Sequence, residues 1–275
     1  MSNFQLIPEQ IAAYERDGYL IAPNFLSEAE SKKLYGIAIG DDAMNKHAFD
    51  LNDQTGKKTR LTLWYHSGDD AYGLLTRSEK MVDSVDKLLA GDSPVCHFHS
   101  KLMQKEPRVG GAWEWHQDYG YWYKNEFLFP DRMMSVMVAI TAATKENGCL
   151  QVIGGSHRMG RIEHGFAGEQ VGAAQHYVDL ALRTMPLVYV ELAAGDALFF
   201  HSNLLHRSAA NLSETSRWSL ISCYNRQDNP GYNEPNGSAT IAVQTVPNEA
   251  LLEWDAKELQ ETAGFLQKEK DEALK

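Results

Sequence analysis

Residues 113–119 (WEWHQDY) contain a histidine and an aspartate two positions apart, His116 and Asp118. If this segment is an extended strand, side chains two residues apart project from the same face. An imidazole and a carboxylate held this close supply two ligands of a 2-His-1-carboxylate facial triad. Such a triad binds iron(II) and leaves positions open for oxygen and a bidentate cosubstrate. A single His-x-Asp match is weak evidence by itself, because short motifs also occur by chance.

A second segment strengthens this interpretation. Residues 195–208 (GDALFFHSNLLHRS) have the pattern of a turn, a strand and a strand end with His206, and the turn-rich residues 209–216 precede Arg217. A hairpin through that loop would return Arg217 beside His206. The far carboxylate of 2-oxoglutarate needs such a guanidinium, which holds a carboxylate with two charge-assisted hydrogen bonds. An arginine within an otherwise apolar strand also indicates a buried cation that needs an anion.

From about residue 15 to about residue 225 the chain resembles the phytanoyl-CoA dioxygenase family of iron(II)- and 2-oxoglutarate-dependent oxygenases. The motifs that carry the resemblance are His116-Gln117-Asp118, residues 146–150 (ENGCL), residues 154–157 (GGSH), Gly195-Asp196, and His206-x-Ser208 with Arg217 beyond. The family fold is a double-stranded β-helix, a cupin-like jelly roll. The resemblance therefore implies a mostly β protein with flanking helices.

The resemblance also implies a site. Iron(II) would be bound by His116, Asp118 and His206, and 2-oxoglutarate by Arg217 and Ser208. With oxygen as the second cosubstrate, 2-oxoglutarate would be decarboxylated to succinate while a small-molecule substrate is hydroxylated. In such enzymes the iron and its cosubstrates carry the chemistry, and the protein supplies orientation and exclusion of water.

Two further cosubstrate-contacting positions of the family fall at Lys101 and Met137. The family more often has a methionine at the first position and a tryptophan at the second, so both residues depart from its pattern.

Other histidines compete for the role of the third ligand. His201 lies five residues before His206, and an odd separation puts the two on opposite faces of a regular strand. The family spacing favours His206. His97 and His99 form a His-x-His pair, but no matching third ligand follows it, so we interpret the pair as part of an ordinary strand. His157 is expected to be structural.

The elements that must position these residues are visible as periodic patterns and turn signals. Helices are predicted over 8–17, 28–38, 78–90 and 247–274, the second with a Ser27–Glu30 capping box. Strands are predicted at about 19–23, 95–104, 135–142, 149–153, 187–191, 197–201 and 217–224. Many short strands braced by helices are typical of a jelly roll. We expect one domain over 1–275, with a helical part to about 92, a barrel over about 93–245 and a C-terminal helix over about 247–274.

Composition excludes several classes of function. The net charge is −11, with 26 Lys and Arg against 37 Asp and Glu and no dense basic cluster, which argues against a nucleic-acid partner. No apolar run is long enough to cross a bilayer, and no signal-peptide pattern is present. Three scattered cysteines without a Cys-x-x-Cys pair suit a reducing compartment. We expect a cytoplasmic protein.

The aromatic residues around the His-x-Asp motif suggest a substrate class. Tyr119, Tyr121 and Trp122 could line the mouth of the site and attract an ammonium or trimethylammonium group. Arg60 or Asn203 (or Arg108) could then hold a carboxylate or phosphonate at the other end of a small zwitterion. The alternative is that these aromatic rings only fill the core.

Three other functions remain open. One is an acyl-CoA hydroxylase of the same family, which would need a basic patch for the phosphates. Another is a cupin-like metal-dependent hydrolase or isomerase, which would not need Arg217. The third is a non-catalytic binding protein with the same fold.

Overall fold

The fold consists of two main antiparallel sheets with helices on their outer faces. A computed structural model describes residues 4–40, 46–167, 169–231, 239–255 and 264–266. The strands are β1 Tyr19–Ala22, β2 Phe49–Asn52, β3 Lys58–Trp64, β4 Val95–Lys105, β5 Trp113–His116, β6 Met133–Ala139, β7 Leu150–Ile153, β8 His164–Ala167, β9 Gln170–Ala173, β10 Leu187–Val190, β11 Ala197–His201, β12 His206–Ser208 and β13 Arg217–Arg226. The α-helices are α1 Pro8–Asp17, α2 Glu28–Gly40, α3 Ala71–Thr76, α4 Glu79–Leu88, α5 Asp118–Trp122, α6 Gln175–Thr184 and α7 Ala250–Glu253.

The strand order confirms the predicted jelly roll. The larger sheet has the order β1-β11-β6-β13-β4-β3-β2, the smaller sheet has the order β10-β7-β12-β5, and β8 and β9 form a separate hairpin. Every pairing between these strands is antiparallel. The chain alternates between the two sheets, so strands that are distant in sequence become neighbours. This arrangement brings β5 and β12 side by side.

The larger sheet is covered on both faces. On β6, Met137 and Ala139 belong to the apolar cluster between the two sheets, whereas Val136 and Val138 belong to the cluster beneath the helices. All residues of β6 and β13 are buried. Strands that are buried on both faces show continuous apolar runs instead of alternation. For this reason their sequences predicted strands but did not indicate which face is inner.

Helix α2 begins with the predicted capping box. The Ser27 backbone amide donates to the Glu30 carboxylate at 2.7 Å, and the Glu30 amide donates to the Ser27 hydroxyl at 3.3 Å. Glu30 also pairs with Lys80 of α4 at 2.6 Å, with both side chains almost completely buried. This interior ion pair therefore joins α2 to α4.

The predicted helices over 8–17, 28–38 and 78–90 are confirmed at α1, α2 and α4. The helix predicted over 247–274 is wrong for most of its described residues. Only Ala250–Glu253 is helical, and residues 256–263 and 267–275 lie outside the described ranges. Phe265 instead forms a β-bridge with Trp64 at the end of β3, and the Leu266 amide donates to the Leu63 carbonyl. Contact with a strand backbone requires extended geometry, which overrides the helical composition.

The region expected to be helical up to residue 92 also contributes β1, β2 and β3 to the larger sheet. That the whole chain forms one domain stays a prediction. None of the described helices combines the length and the apolar character that a bilayer-spanning segment needs.

We predict that Lys80→Met lowers the free energy of unfolding by about 3–5 kcal/mol, because it leaves the Glu30 carboxylate buried without its partner. Urea denaturation followed by circular dichroism measures the change. The double variant Lys80→Met/Glu30→Gln should recover part of the loss, since no unpaired charge then remains in the interior.

The control is Lys32→Met, which breaks an exposed ion pair with Glu28 on the same helix. Exposed pairs contribute little to stability. Equal effects of Lys80→Met and Lys32→Met would contradict a stabilising role for the buried pair.

Candidate metal centre

His116 and Asp118 reach the site from the end of β5 and the start of the helix that follows it. The strand ends at His116, and Asp118 is the first residue of α5. The extended geometry that the sequence argument assumed for residues 113–119 therefore ends before Asp118. Gln117 between them remains extended, with φ −108° and ψ 136°, so the two side chains still project to one side.

Gln117 fixes this connection. Its side-chain amide donates to the carbonyls of Gly160 and Asn203, and its side-chain oxygen accepts from the Ile162 amide. The fully buried side chain thus has partners for both donors and for its acceptor. No sequence signal indicated this role beyond the position of Gln117 between two candidate ligands.

His206 arrives from the neighbouring strand. As the first residue of β12 it is paired directly with His116 of β5. The Nε2 atoms of His116 and His206 each lie 3.8 Å from Asp118 Oδ1, and the two ring centroids are 4.1 Å apart. The candidate ligand atoms of the three residues all lie within 4.8 Å of one another. In the described parts of the chain, this is the one group of three or more His, Cys, Asp or Glu side chains with such geometry.

The hydrogen bonds of the two histidines determine which nitrogen faces the site. His116 Nδ1 is 2.7 Å from the Glu114 carbonyl, and His206 Nδ1 is 2.8 Å from the Leu204 carbonyl. A carbonyl only accepts, so each Nδ1 carries the proton and each Nε2 offers a lone pair. Burial lowers the pKa of His116 well below its usual value and also lowers the pKa of His206. Both rings are therefore neutral, with an Nε2 lone pair that could bind a metal ion.

Asp118 supplies the negative charge. Burial opposes its ionisation, but the nearby charge of Lys101 and a hydrogen bond from the Ser135 hydroxyl outweigh burial and hold the pKa of Asp118 below its ordinary value. Two neutral imidazoles and one carboxylate, all on one side of the site, match the facial-triad donor set of iron(II) oxygenases. The residues present therefore fit an iron(II) ion.

Arg217 lies in the same cavity and lacks an anion. Its side chain is buried, Nη1 donates to the Gly148 carbonyl, and Nε has no hydrogen-bond partner. Within the described residues, no carboxylate forms an ion pair with it. Burial lowers the pKa of Arg217 to about 10, which still leaves it cationic at neutral pH. A buried guanidinium without a counter-anion has a high free-energy cost, so this geometry suits the distal carboxylate of 2-oxoglutarate.

The cavity brings together all seven residues that the sequence assigned to iron and cosubstrate. Its assigned residues are His116, Asp118, His206, Arg217, Ser208, Lys101 and Met137. The sequence analysis missed five apolar lining residues, which are Met103, Trp113, Leu150, Phe200 and Ile221. Strand parity could have identified two of them, because Met103 lies two residues after Lys101 and Ile221 lies four after Arg217.

The three aromatic substrate candidates do not line this cavity. The Tyr119 hydroxyl donates to the Phe127 carbonyl, and the Tyr121 hydroxyl donates to the Val171 carbonyl at 2.8 Å. The Trp122 ring is buried. Of the three, only Tyr121 touches the centre, with its ring edge-on to His116 at 5.5 Å. The alternative that these rings fill the core fits their contacts better than a cage does.

The polar substrate candidates also lie outside the cavity lining. Arg60 is on β3, opposite Gln104 of β4. Asn203 is buried in the turn after β11, where its carbonyl accepts from Gln117. Arg108 is exposed and pairs with Glu214.

The rival histidine His201 has other partners. Its Nε2 lies 3.0 Å from the Asp131 carboxylate, and its Nδ1 accepts from the Asn203 amide at 2.9 Å. With both ring nitrogens engaged, His201 is a structural residue at the end of β11. His97 Nε2 likewise bonds the Ser100 hydroxyl at 2.9 Å, away from the triad.

Comparisons with known proteins agree with this geometry. The family model for phytanoyl-CoA dioxygenase (PhyH) matches residues 14–219. The chain is 29% identical to L-proline trans-4-hydroxylase of Streptomyces griseoviridis over 232 residues, covering 78% of this chain and 85% of that protein. It is also 29% identical to methylphosphonate hydroxylase of Gimesia maris over 231 residues, covering 81% and 82%.

Among solved structures, EctD from S. alaskensis with 2-oxoglutarate and 5-hydroxyectoine has a TM-score of 0.72 at 20% identity, with 90% of each chain covered. This likeness concerns the fold. The family match spans most of the chain and includes His116, Asp118, His206 and Arg217. The chain therefore belongs to the phytanoyl-CoA dioxygenase (PhyH) family.

Proposed function

We propose that this protein is an iron(II)- and 2-oxoglutarate-dependent dioxygenase that hydroxylates a small metabolite. One observation carries the proposal: a His-Asp-His group with both Nε2 lone pairs facing inward shares a cavity with a buried arginine that pairs with no carboxylate in the described part of the chain. A metal-dependent hydrolase or isomerase would use the three ligands but would have no need of Arg217.

Each protein group has a distinct task in this proposal. His116, Asp118 and His206 hold the iron, and Arg217 with Ser208 holds the distal carboxylate of 2-oxoglutarate. When bound, iron, 2-oxoglutarate and oxygen supply the oxidising chemistry, with succinate and carbon dioxide as coproducts. The apolar walls exclude water, which protects the reaction from unproductive side steps.

The relatives support a small substrate. The similar proteins include hydroxylases or dioxygenases of L-proline, ectoine and methylphosphonate, as well as a probable phytanoyl-CoA dioxygenase. The cavity has two cationic side chains in its lining, Lys101 and Arg217, and Arg217 is engaged by the cosubstrate. The phosphates of an acyl-CoA need a larger basic surface, so the acyl-CoA alternative is less well supported.

The structure gives little support to an aromatic cage around a trimethylammonium group. Of the cavity residues only Trp113 and Phe200 are aromatic apart from the two histidine ligands.

The cytoplasmic location that we propose rests on three free, buried cysteines.

The test is succinate release by the iron-loaded protein with 2-oxoglutarate. Candidate substrates are L-proline, methylphosphonate, glycine betaine and a branched acyl-CoA. We expect turnover with a small acid and none with the acyl-CoA. Absence of 2-oxoglutarate binding under anaerobic conditions would refute the dioxygenase assignment itself.

We predict that His206→Ala abolishes iron retention and turnover, because it removes one of three protein ligands. The loss of iron affinity should exceed the factor of about 10–100 that is typical when a residue that only supports a ligand is removed. Iron content after anaerobic loading and desalting measures it, with circular dichroism to verify folding. His201→Ala is the matched control and should retain iron. The opposite result would identify His201 as the ligand.

We predict that Arg217→Lys raises the KM for 2-oxoglutarate about tenfold and Arg217→Ala about hundredfold. A charged hydrogen bond contributes about 1.5–3 kcal/mol, and lysine keeps the charge but lacks the guanidinium fork. Steady-state kinetics with varied 2-oxoglutarate provides the measurement.

The control for Arg217 is Arg207→Lys on β12, the preceding strand in the chain. Arg207 stacks on Trp115 and bonds Gln151, outside the cavity lining. Its KM for 2-oxoglutarate should be unchanged. An unaltered KM in Arg217→Ala would show that the carboxylate is anchored elsewhere.

A further inference from the structure

Lys101 is a second cation in the cavity that the cosubstrate does not account for. It lies on the inner face of β4, opposite Leu63 of β3 and Ile221 of β13, and its side chain lines the cavity. Both cross-strand neighbours are apolar and offer it no partner. Among the described residues, no hydrogen bond or ion pair engages its ammonium group. The closest carboxylate along the cavity is Asp118, a proposed iron ligand, which makes no direct ion pair with Lys101 among the described residues. A half-buried ammonium in this setting can therefore take a further anion.

Lys101 and Arg217 belong to opposite ends of the cavity. Arg217 lies directly opposite Lys105 in the sheet, and Lys101 is four residues further along β4, about 13 Å at the rise of a strand. The Ser135 hydroxyl of β6 donates to Asp118, and Ser135 lies opposite Cys223 of β13. Cys223 is two residues beyond Ile221, the partner of Lys101, whereas Arg217 is four residues before Ile221. Lys101 therefore lies at the metal end.

A count of formal charges shows what the metal end still lacks. Iron(II) contributes two positive charges, and Lys101 and Arg217 contribute one each. Asp118 contributes one negative charge and 2-oxoglutarate two, which leaves one net positive charge. The walls are largely apolar, so an unbalanced charge is poorly solvated there. Lys105 lies outside the lining, and if it is protonated the excess becomes larger. One more anionic group would balance the cavity.

We propose that Lys101 binds an acidic group of the substrate, so that the substrate class is a small organic acid with a carboxylate or phosphonate close to the carbon that is hydroxylated. This inference rests on the proposed dioxygenase function. It assigns to Lys101 a role other than contact with the cosubstrate. It also replaces Arg60, Asn203 and Arg108 as the anchor for the acid.

The recognition chemistry is that of a point charge. A lysine ammonium has three hydrogen-bond donors on a flexible stem and needs no bidentate geometry. It can therefore bind either a planar carboxylate or a tetrahedral phosphonate. Its distance from Arg217 keeps the two anions apart. The substrate is thereby held with its acidic end at β4 and its adjacent carbon toward the three ligands.

The experiment is anaerobic calorimetry on the full chain loaded with iron(II) and 2-oxoglutarate. The titrants are methylphosphonate, propionate and the neutral isostere propionamide. For the unmodified protein we expect saturable binding of at least one anion and about tenfold weaker or no binding of propionamide. The comparison of the two anions distinguishes a phosphonate substrate from a carboxylate substrate.

Three variants assign the effect to Lys101. Lys101→Met should weaken anion binding at least about tenfold while changing the affinity for 2-oxoglutarate less than about twofold. Lys101→Arg should restore part of the anion affinity, since it restores the charge. Lys87→Met, which removes an exposed lysine on α4, should change neither affinity.

Two results would overturn the proposal. One is a large loss of 2-oxoglutarate affinity in Lys101→Met with anion binding intact, which would make Lys101 a cosubstrate ligand. The other is equal binding of propionate and propionamide, or no anion binding at all. Failure of 2-oxoglutarate to bind the unmodified protein would instead refute the dioxygenase function, so the two failures are distinguishable.

Discussion

The pairing of β5 with β12 is the contact on which the centre depends. It places His116 directly opposite His206, and the hydrogen bonds of Gln117 then direct Asp118 to the same point. Metal ligands bind well only when they are held in place before the metal arrives, because ordering flexible side chains costs entropy. Here the backbone carbonyls of Glu114 and Leu204 orient the two rings. The preorganisation therefore comes mainly from backbone atoms in β5 and in the loops next to the smaller sheet.

The two sheets divide the work between them. The smaller sheet provides the histidines, together with Ser208, whereas the larger sheet provides the cations Lys101 and Arg217. A cavity between sheets separates the groups on its two walls by about the packing distance of the sheets, about 10 Å. This geometry leaves room for ligands between the walls. The separation of the walls also explains why, within the described residues, no carboxylate neutralises Arg217.

Burial makes these charges selective. In a low-dielectric cavity each unpaired cation attracts an anion more strongly than it would at the surface, and each mismatched ligand is penalised. The helices contribute indirectly, because α1 to α4 cover the outer face of the larger sheet and keep it dry. The buried Glu30–Lys80 pair holds two of these helices together.

The sequence by itself determined the chemistry of the centre. The residues His116, Asp118, His206 and Arg217, the jelly-roll class and three of the helices could be predicted, because they depend on local periodicity, turn residues and motif spacing. The tertiary structure decided which of the remaining candidates reach the cavity. Tyr119, Trp122, Arg60 and Asn203 are near the motifs in sequence or chemistry, but their contacts lead elsewhere. The described part of the C-terminal segment was also misjudged, since Phe265 meets Trp64 of a distant strand. Side-chain direction in a sheet that is buried on both faces depends on which strands pair and in which register. Local sequence patterns do not encode that pairing, because its partners can be as far apart in the chain as Tyr19 and Phe200.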